Sequence, residues 1–205
     1  MKRNFFIILL TTLTTILLSC NNSSNNGQTP SLIASVTNEC FIKRLNEFNS
    51  AYPNYKNGIL PGYFAMCGHS TTQFIERLEV FNNKYPNYKN GLLPASYAVC
   101  NHSIDNFMER FNNFGDTYPQ YKNGWLIGSY VESDNSLEEF MKRFEEFNIA
   151  YPNYKNGILP SNYAESQNDI STFMQRFNEF NNKYPNYKNE VLPSLYALST
   201  NSLCE

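Results

Sequence analysis

Cys67-Gly68-His69 and Cys100-Asn101-His102 are, by residue type and spacing, the stretches best suited to chemistry. Two thiolates and two imidazoles form a donor set for a tetrahedral zinc ion. Later copies of the same turn hold Ser133, Ser166 and Ser199 in place of Cys, and Asn135, Asn168 and Asn201 in place of His. Exchange of ligands for non-ligands marks a polar turn position first, and zinc at Cys67, His69, Cys100 and His102 only second. These are the only two histidines, and the chain has no C-x-x-C pair, so cysteine-protease and redox chemistry lack their partners. With no nucleophile–base set, the expectation is a non-enzymatic protein needing no cofactor.

Those turns belong to a repeat. Tyr52-Pro53-Asn54-Tyr55-Lys56-Asn57-Gly58-Ile59-Leu60-Pro61 recurs, with its first tyrosine at Tyr52, Tyr85, Tyr118, Tyr151 and Tyr184, in steps of 33 residues. A unit this small cannot bury its own core, so the units must stack into one elongated array. Phe41, Leu45, Phe48 and Tyr52 lie on one stripe at helical spacing, and Phe107, Phe111, Phe114 and Tyr118 repeat it. Ser70, Ser103, Ser136 and Asp169 precede such stripes as N-caps, with Thr37 and Ser202 in the equivalent places. Ser70…Gln73 and Ser136…Glu139 have capping-box spacing. Pro53 and its equivalents end the long helix, because the residue before proline resists helical angles. Asn-Gly then predicts a tight turn, and Pro61 or Pro94 opens a short helix. The expected class is all-α: a solenoid of short-helix/long-helix pairs. An α/β solenoid with a short strand in the short helix's place is the alternative.

The chain is rich in rings, with 15 Tyr, 16 Phe and one Trp. Tyr55, Tyr88, Tyr121, Tyr154 and Tyr187 form a regular row with a lysine beside each, suited to stacking on a repeating glycan or to packing on the next turn. Arg44, Arg77, Arg110, Arg143 and Arg176 flank the helical stripe and read as a structural ladder over aromatic rings and loop carbonyls. The copies differ on the short helix, at Gly62-Tyr63, Ala95-Ser96, Gly128-Ser129, Ser161-Asn162 and Ser194-Leu195, and again at Met66, Val99, Glu132, Glu165 and Leu198. Tyr63, Ser96, Trp125, Glu132 and Glu165 join the tyrosine row as candidate binding residues. Removing Lys2 and Arg3 with a leader leaves 14 basic against 18 acidic residues, net −4, which offers no footprint for nucleic acid.

The N-terminus carries an address. Met1-Lys2-Arg3-Asn4 is basic, the following run to Leu18 is apolar, and it ends Leu17-Leu18-Ser19-Cys20. This resembles the bacterial lipoprotein signal, which implies cleavage after residue 19 and acylation of Cys20. Residues 20–29 read as an Asn/Ser-rich tether, and 30–205 as five units with a terminal short helix. The resemblance implies a lipid-anchored place on the cell envelope, on the outer membrane or cell surface. Export permits disulfides, and the adjoining ends of an antiparallel helix pair make Cys40–Cys67 the first bridge to test.

The unit as a whole resembles the ankyrin repeat. Gly91, Pro94 and Ala98 match its Gly-x-Thr-Pro-Leu-His-x-Ala pattern, while Leu93, Ala95 and Ser96 depart from it. The resemblance implies an open, cupped scaffold that binds a protein with its turn tips and short helices. If Cys20 is the anchor, Cys20→Ala abolishes labelling by radioactive palmitate and releases the protein from the membrane fraction of expressing cells. Unchanged labelling contradicts the lipoprotein assignment.

Overall fold

A computed structural model describes residues 40–204, apart from 57, 90, 123, 156 and 188–190. The expected leader, acylated cysteine, tether and first short helix lie outside the described residues. Through the described residues long and short helices alternate as one compact unit. The long helices are α1 (Phe41–Ala51), α3 (Thr71–Lys84), α5 (Ile104–Thr117), α7 (Leu137–Ala150) and α9 (Ile170–Lys183). The short ones are α2 (Leu60–Met66), α4 (Leu93–Val99), α6 (Trp125–Glu132), α8 (Ile158–Glu165) and α10 (Val191–Leu198). Among the described residues every short element is a helix, which settles the helix–strand alternative.

Local chemistry fixes the boundaries. Ser70, Ser103, Ser136 and Asp169 each accept a bond from the backbone N–H three residues on, and Ser70 with Gln73 closes a complete capping box. At the other end, Tyr52, Tyr85, Tyr118, Tyr151 and Tyr184 leave the helical region at φ near −130°, each before a proline. Pro-Asn-Tyr, or Pro119-Gln120-Tyr121, then forms one turn of 3-10 helix. A tight turn follows: Gly58 N–H donates to Tyr55 O at 2.9 Å, and no described glycine lies in the left-handed region.

Each long helix packs on the short helix that follows it, and each short helix packs on the next short one. The arginines fasten these pairs. Each guanidinium lies about 4.2–4.3 Å from the ring centre of Phe64, Tyr97, Tyr130, Tyr163 or Tyr196 in its own unit. It also donates to that ring residue's carbonyl and to the carbonyl of the His or Asn five residues on, as Arg77 does to Tyr97 O and His102 O, both at 2.9 Å. The ladder is structural: it fastens each long helix to the short helix and turn that follow it.

Between units, one bond recurs. His69 Nε2 meets Cys100 O at 3.3 Å and His102 Nε2 meets Ser133 O at 2.9 Å. Asn135 Nδ2 donates to Ala164 O and Asn168 Nδ2 to Ala197 O, at 2.8 and 3.0 Å. The fifth member, Asn201, donates to Ala65 O in the first unit at 2.8 Å. The elongated array expected from the repeat therefore bends until its ends meet, and the short helices form an inner ring with α10 against α2.

Packing at the seam copies packing elsewhere. Phe48–Phe74, Phe81–Phe107 and Phe147–Phe173 meet edge to face at 5.7, 5.7 and 6.1 Å across successive units, and Phe180–Phe41 meets at 5.9 Å across the seam. Helix α1 has 11 residues where the other long helices have 14. The C-terminal residues supply the missing turn. Phe41 N–H donates to Ser202 O at 3.0 Å, as Phe74 does to Ser70 O at 2.9 Å, and Leu203 is buried in the slot of Ile104 and Ile170. Ser202 and Leu203 thus stand in the cap and first-turn slots of α1, joined to it by a parallel bridge between Cys40 and Ser202 and not by helix.

A closed ring makes Asn201 equivalent to Asn168. Asn201→Ala and Asn168→Ala should each cost about 1–3 kcal/mol in urea unfolding. An open chain would lose nothing at Asn201.

Candidate functional site

Small side chains let the inner helices approach. A Cβ on Gly62 would stand 2.8 Å from Leu195 Cδ1, and one on Gly128 would overlap Leu92 Cδ2. Closing the ring turns the variable short-helix positions inward. Tyr63, Ser96, Ser129, Asn162 and Leu195 occupy one repeat slot, and all are almost wholly buried. Ser129 Oγ donates to Asn162 Oδ1 at 3.3 Å, and Asn162 Nδ2 donates to Ser194 Oγ at 2.8 Å. One helical turn further on, Glu132 and Glu165 bring their carboxyls together inside the ring. Oε2 of each is out of solvent and meets no hydroxyl, amide or guanidinium donor among the described residues.

Two carboxylates so placed cannot both stay ionised. Burial pushes the Glu132 carboxyl up to about 8. Burial, then the charge of Glu132, holds Glu165 well above the usual carboxylate range. The same two carboxyls, after burial itself, raise the Tyr63 phenol well above its ordinary value from across the ring. Burial also lifts the nearby Cys100 thiol to about 11, so it is no nucleophile at neutral pH. The cluster is a proton-holding polar core. At neutral pH the pair retains a proton and so avoids two buried negative charges.

The sequence candidates therefore divide. Tyr63, Ser96, Glu132 and Glu165 come together, but inside the ring, where no protein partner reaches them. Ser129, Asn162 and Ser194 complete that cluster; their signal was variation between copies, Ser129 and Asn162 in the slot of Tyr63 and Ser194 in the slot before it. The other candidates lie at the turn face. Tyr55, Tyr88, Tyr121 and Tyr187 are 37–44% exposed, and Tyr154 is partly buried. Tyr88, Tyr121 and Tyr154 rest edge-on against Phe111, Phe144 and Phe177 of the next long helix. Each therefore packs on its neighbour and leaves part of its ring in water. Beside Tyr55, a cavity of about 630 Å³ opens among Ile59, Leu92, Trp125, Lys89 and Asn82.

Cys67, His69, Cys100 and His102 do not make a metal centre. Both imidazoles are spent on the next unit's carbonyls, and the two sulfurs accept from Arg44 and Arg77 at 3.7 and 3.6 Å. Among the described residues no three His, Cys, Asp or Glu side chains gather as a ligand set. Cys40–Cys67 is not formed either: all four described cysteines are free. Cys67 sits beneath Arg44 and donates to Phe64 O, whereas the thiol beside Cys40 is that of Cys204.

No described helix is long and apolar enough to cross a membrane. No known protein family, curated protein or solved structure matches the chain.

The carboxyl pair predicts a pH dependence with a definite sign. Its folded-state pKa values lie above the ordinary carboxylate value of 4.5, so its contribution is fully present below that pH and is lost as pH rises towards about 8. The melting temperature should fall between pH 5 and pH 8.5, and Glu165→Gln should flatten the fall. An unchanged slope in that variant contradicts the assignment.

Proposed function

We propose that the protein is a lipid-anchored, non-enzymatic recognition module of the bacterial cell envelope that binds a protein segment at its turn face. The observation carrying this reading is the cavity of about 630 Å³ lined by Tyr55, Ile59, Leu92 and Trp125, with Lys89 and Asn82 at hand. An apolar floor with an aromatic wall and a few polar groups suits one large apolar side chain of a partner, with its backbone held at the rim. The Cys20 anchor rests on the signal-like N-terminus.

Ring closure is what moves the binding surface. In an open array the variable short-helix residues face a partner, but here they are interior. A repeating glycan is also disfavoured, because a straight polymer cannot meet five tyrosines set round a closed ring. The exposed apolar side chain of Ile149 lies on a long helix and lines none of this cavity, which makes it a useful control.

The full chain carrying Cys20→Ala is screened against a displayed peptide library and against cell-wall glycan fragments. Peptides with a large apolar anchor should bind, and Trp125→Ala should weaken them about tenfold or more while Ile149→Ala leaves them unchanged. Binding of glycan alone, or peptide binding indifferent to Trp125→Ala, overturns the reading.

A further inference from the structure

The ring has one seam, and a cysteine stands on each side of it. Cys40 precedes the first turn of α1, and Cys204 ends the described C-terminal strand of residues. The backbones at the seam run side by side in a parallel bridge between Cys40 and Ser202. Phe41 N–H donates to Ser202 O at 3.0 Å. Cys40 Sγ donates to Leu203 O at 3.8 Å, and Cys204 Sγ lies 3.1 Å from Ser202 Oγ. Both sulfurs thus sit against the same short stretch, residues 202–204, and both residues are only partly buried. Cys67 and Cys100, by contrast, are buried under Arg44 and Arg77.

We propose that Cys40 and Cys204 are a disulfide site that locks the ring at its seam. The position is suited to it on three counts. The thiols adjoin across the one interface that the chain does not connect covalently. Both are within reach of an oxidant. The residues that hold them, Phe41 and Ser202, already fix the two backbones against each other.

The step is thiol–disulfide exchange with a small-molecule disulfide such as oxidised glutathione as the oxidant. The Cys204 thiolate attacks one sulfur of the oxidant, forms a mixed disulfide and releases one glutathione thiolate. The Cys40 thiolate then attacks Cys204 Sγ, forms the Cys40–Cys204 bond and releases the second. Two protein thiols lose two protons and two electrons, and the oxidant takes up both electrons. Cys204 is the suited first attacker: the neighbouring Cys40 and Ser202 side chains lower its pKa, with Lys183 and Lys43 adding to the effect. The positive φ of 42° at Cys204, the only one among described non-glycine residues, makes this a specialised position in the backbone.

A bridge here spans almost the whole repeat domain, where the chain-entropy effect of a crosslink is largest. It converts a ring held by noncovalent contacts at one joint into one that cannot open there. A pairing chosen from helix ends alone does not find it, because the partner of Cys40 comes from the far end of the chain.

The test uses the full chain with Cys20→Ala, so that the lipid-site thiol does not interfere. After incubation with oxidised glutathione, proteolysis and mass spectrometry should show a peptide joining residues 40 and 204 within one molecule. Oxidation should raise the melting temperature by on the order of 10 °C, reversed by dithiothreitol. Cys40→Ser and Cys204→Ser should each abolish the crosslink and the rise, while Cys67→Ser and Cys100→Ser should keep both. A Cys40–Cys67 peptide, crosslinks only between molecules, or thiols that stay free under these conditions each overturn the proposal. Circular dichroism before oxidation checks that each variant is folded.

Discussion

Five side chains at one repeat position, each reaching to a backbone carbonyl of the next unit, are what the structure depends on. His69, His102, Asn135 and Asn168 could belong to an open array of any length; Asn201 could not, because its acceptor is Ala65 O in the first unit. A buried carbonyl without a donor is costly, so the seam carries the same hydrogen-bonding obligation as every other joint. Closure also removes the two bare ends that a stacked array must otherwise cap. Phe41 packs against Phe180 and Tyr196 instead of facing water.

The rest of the architecture follows from that curvature. Short helices brought into a ring need small residues where they cross, and Gly62, Ala95, Gly128, Ser161 and Ser194 occupy that slot. The arginines hold each long helix to its short partner through a ring and two carbonyls. The unit is therefore a stiff wedge, and the joints set the angle between wedges. The interior gathers whatever the short helices present inward. Each short helix contributes a polar group to it, and two contribute a carboxyl. Retaining a proton between Glu132 and Glu165 is the condition for burying both.

Much of this was legible in the chain. The period, the caps at Ser70, Ser103, Ser136 and Asp169, the proline stops and the Phe stripes are local properties that follow from helix geometry. The arginine ladder was legible because the same residue recurs against the same ring. Ring closure was not, because angle accumulates from small offsets at each joint and no single residue states the sum. The signs of closure are structural: Ser202 and Leu203 stand against α1 in the slots that a cap and first turn hold elsewhere, and α1 starts only at Phe41. Everything that depends on closure was missed with it: the inward direction of Tyr63, Ser96, Glu132 and Glu165, and the neighbourhood of Cys40 and Cys204.

Closure also decides where recognition can occur. An open scaffold offers its concave short-helix surface; a ring offers its faces. Here the turn face alone combines exposed tyrosine with an apolar cavity, which is why the functional reading rests on it. The central claim can be tested without knowing any ligand. Ser50, Asn83, Ile149 and Asn182 are exposed equivalents on α1, α3, α7 and α9. Spin labels carried there on unnatural amino acids report pair distances by electron–electron double resonance. A closed ring predicts that the 50–182 distance matches the 50–83 distance between neighbours and is shorter than 83–149 across the ring. A 50–182 distance that is the longest of the three contradicts closure, and with it the account of the interior, the seam and the binding face.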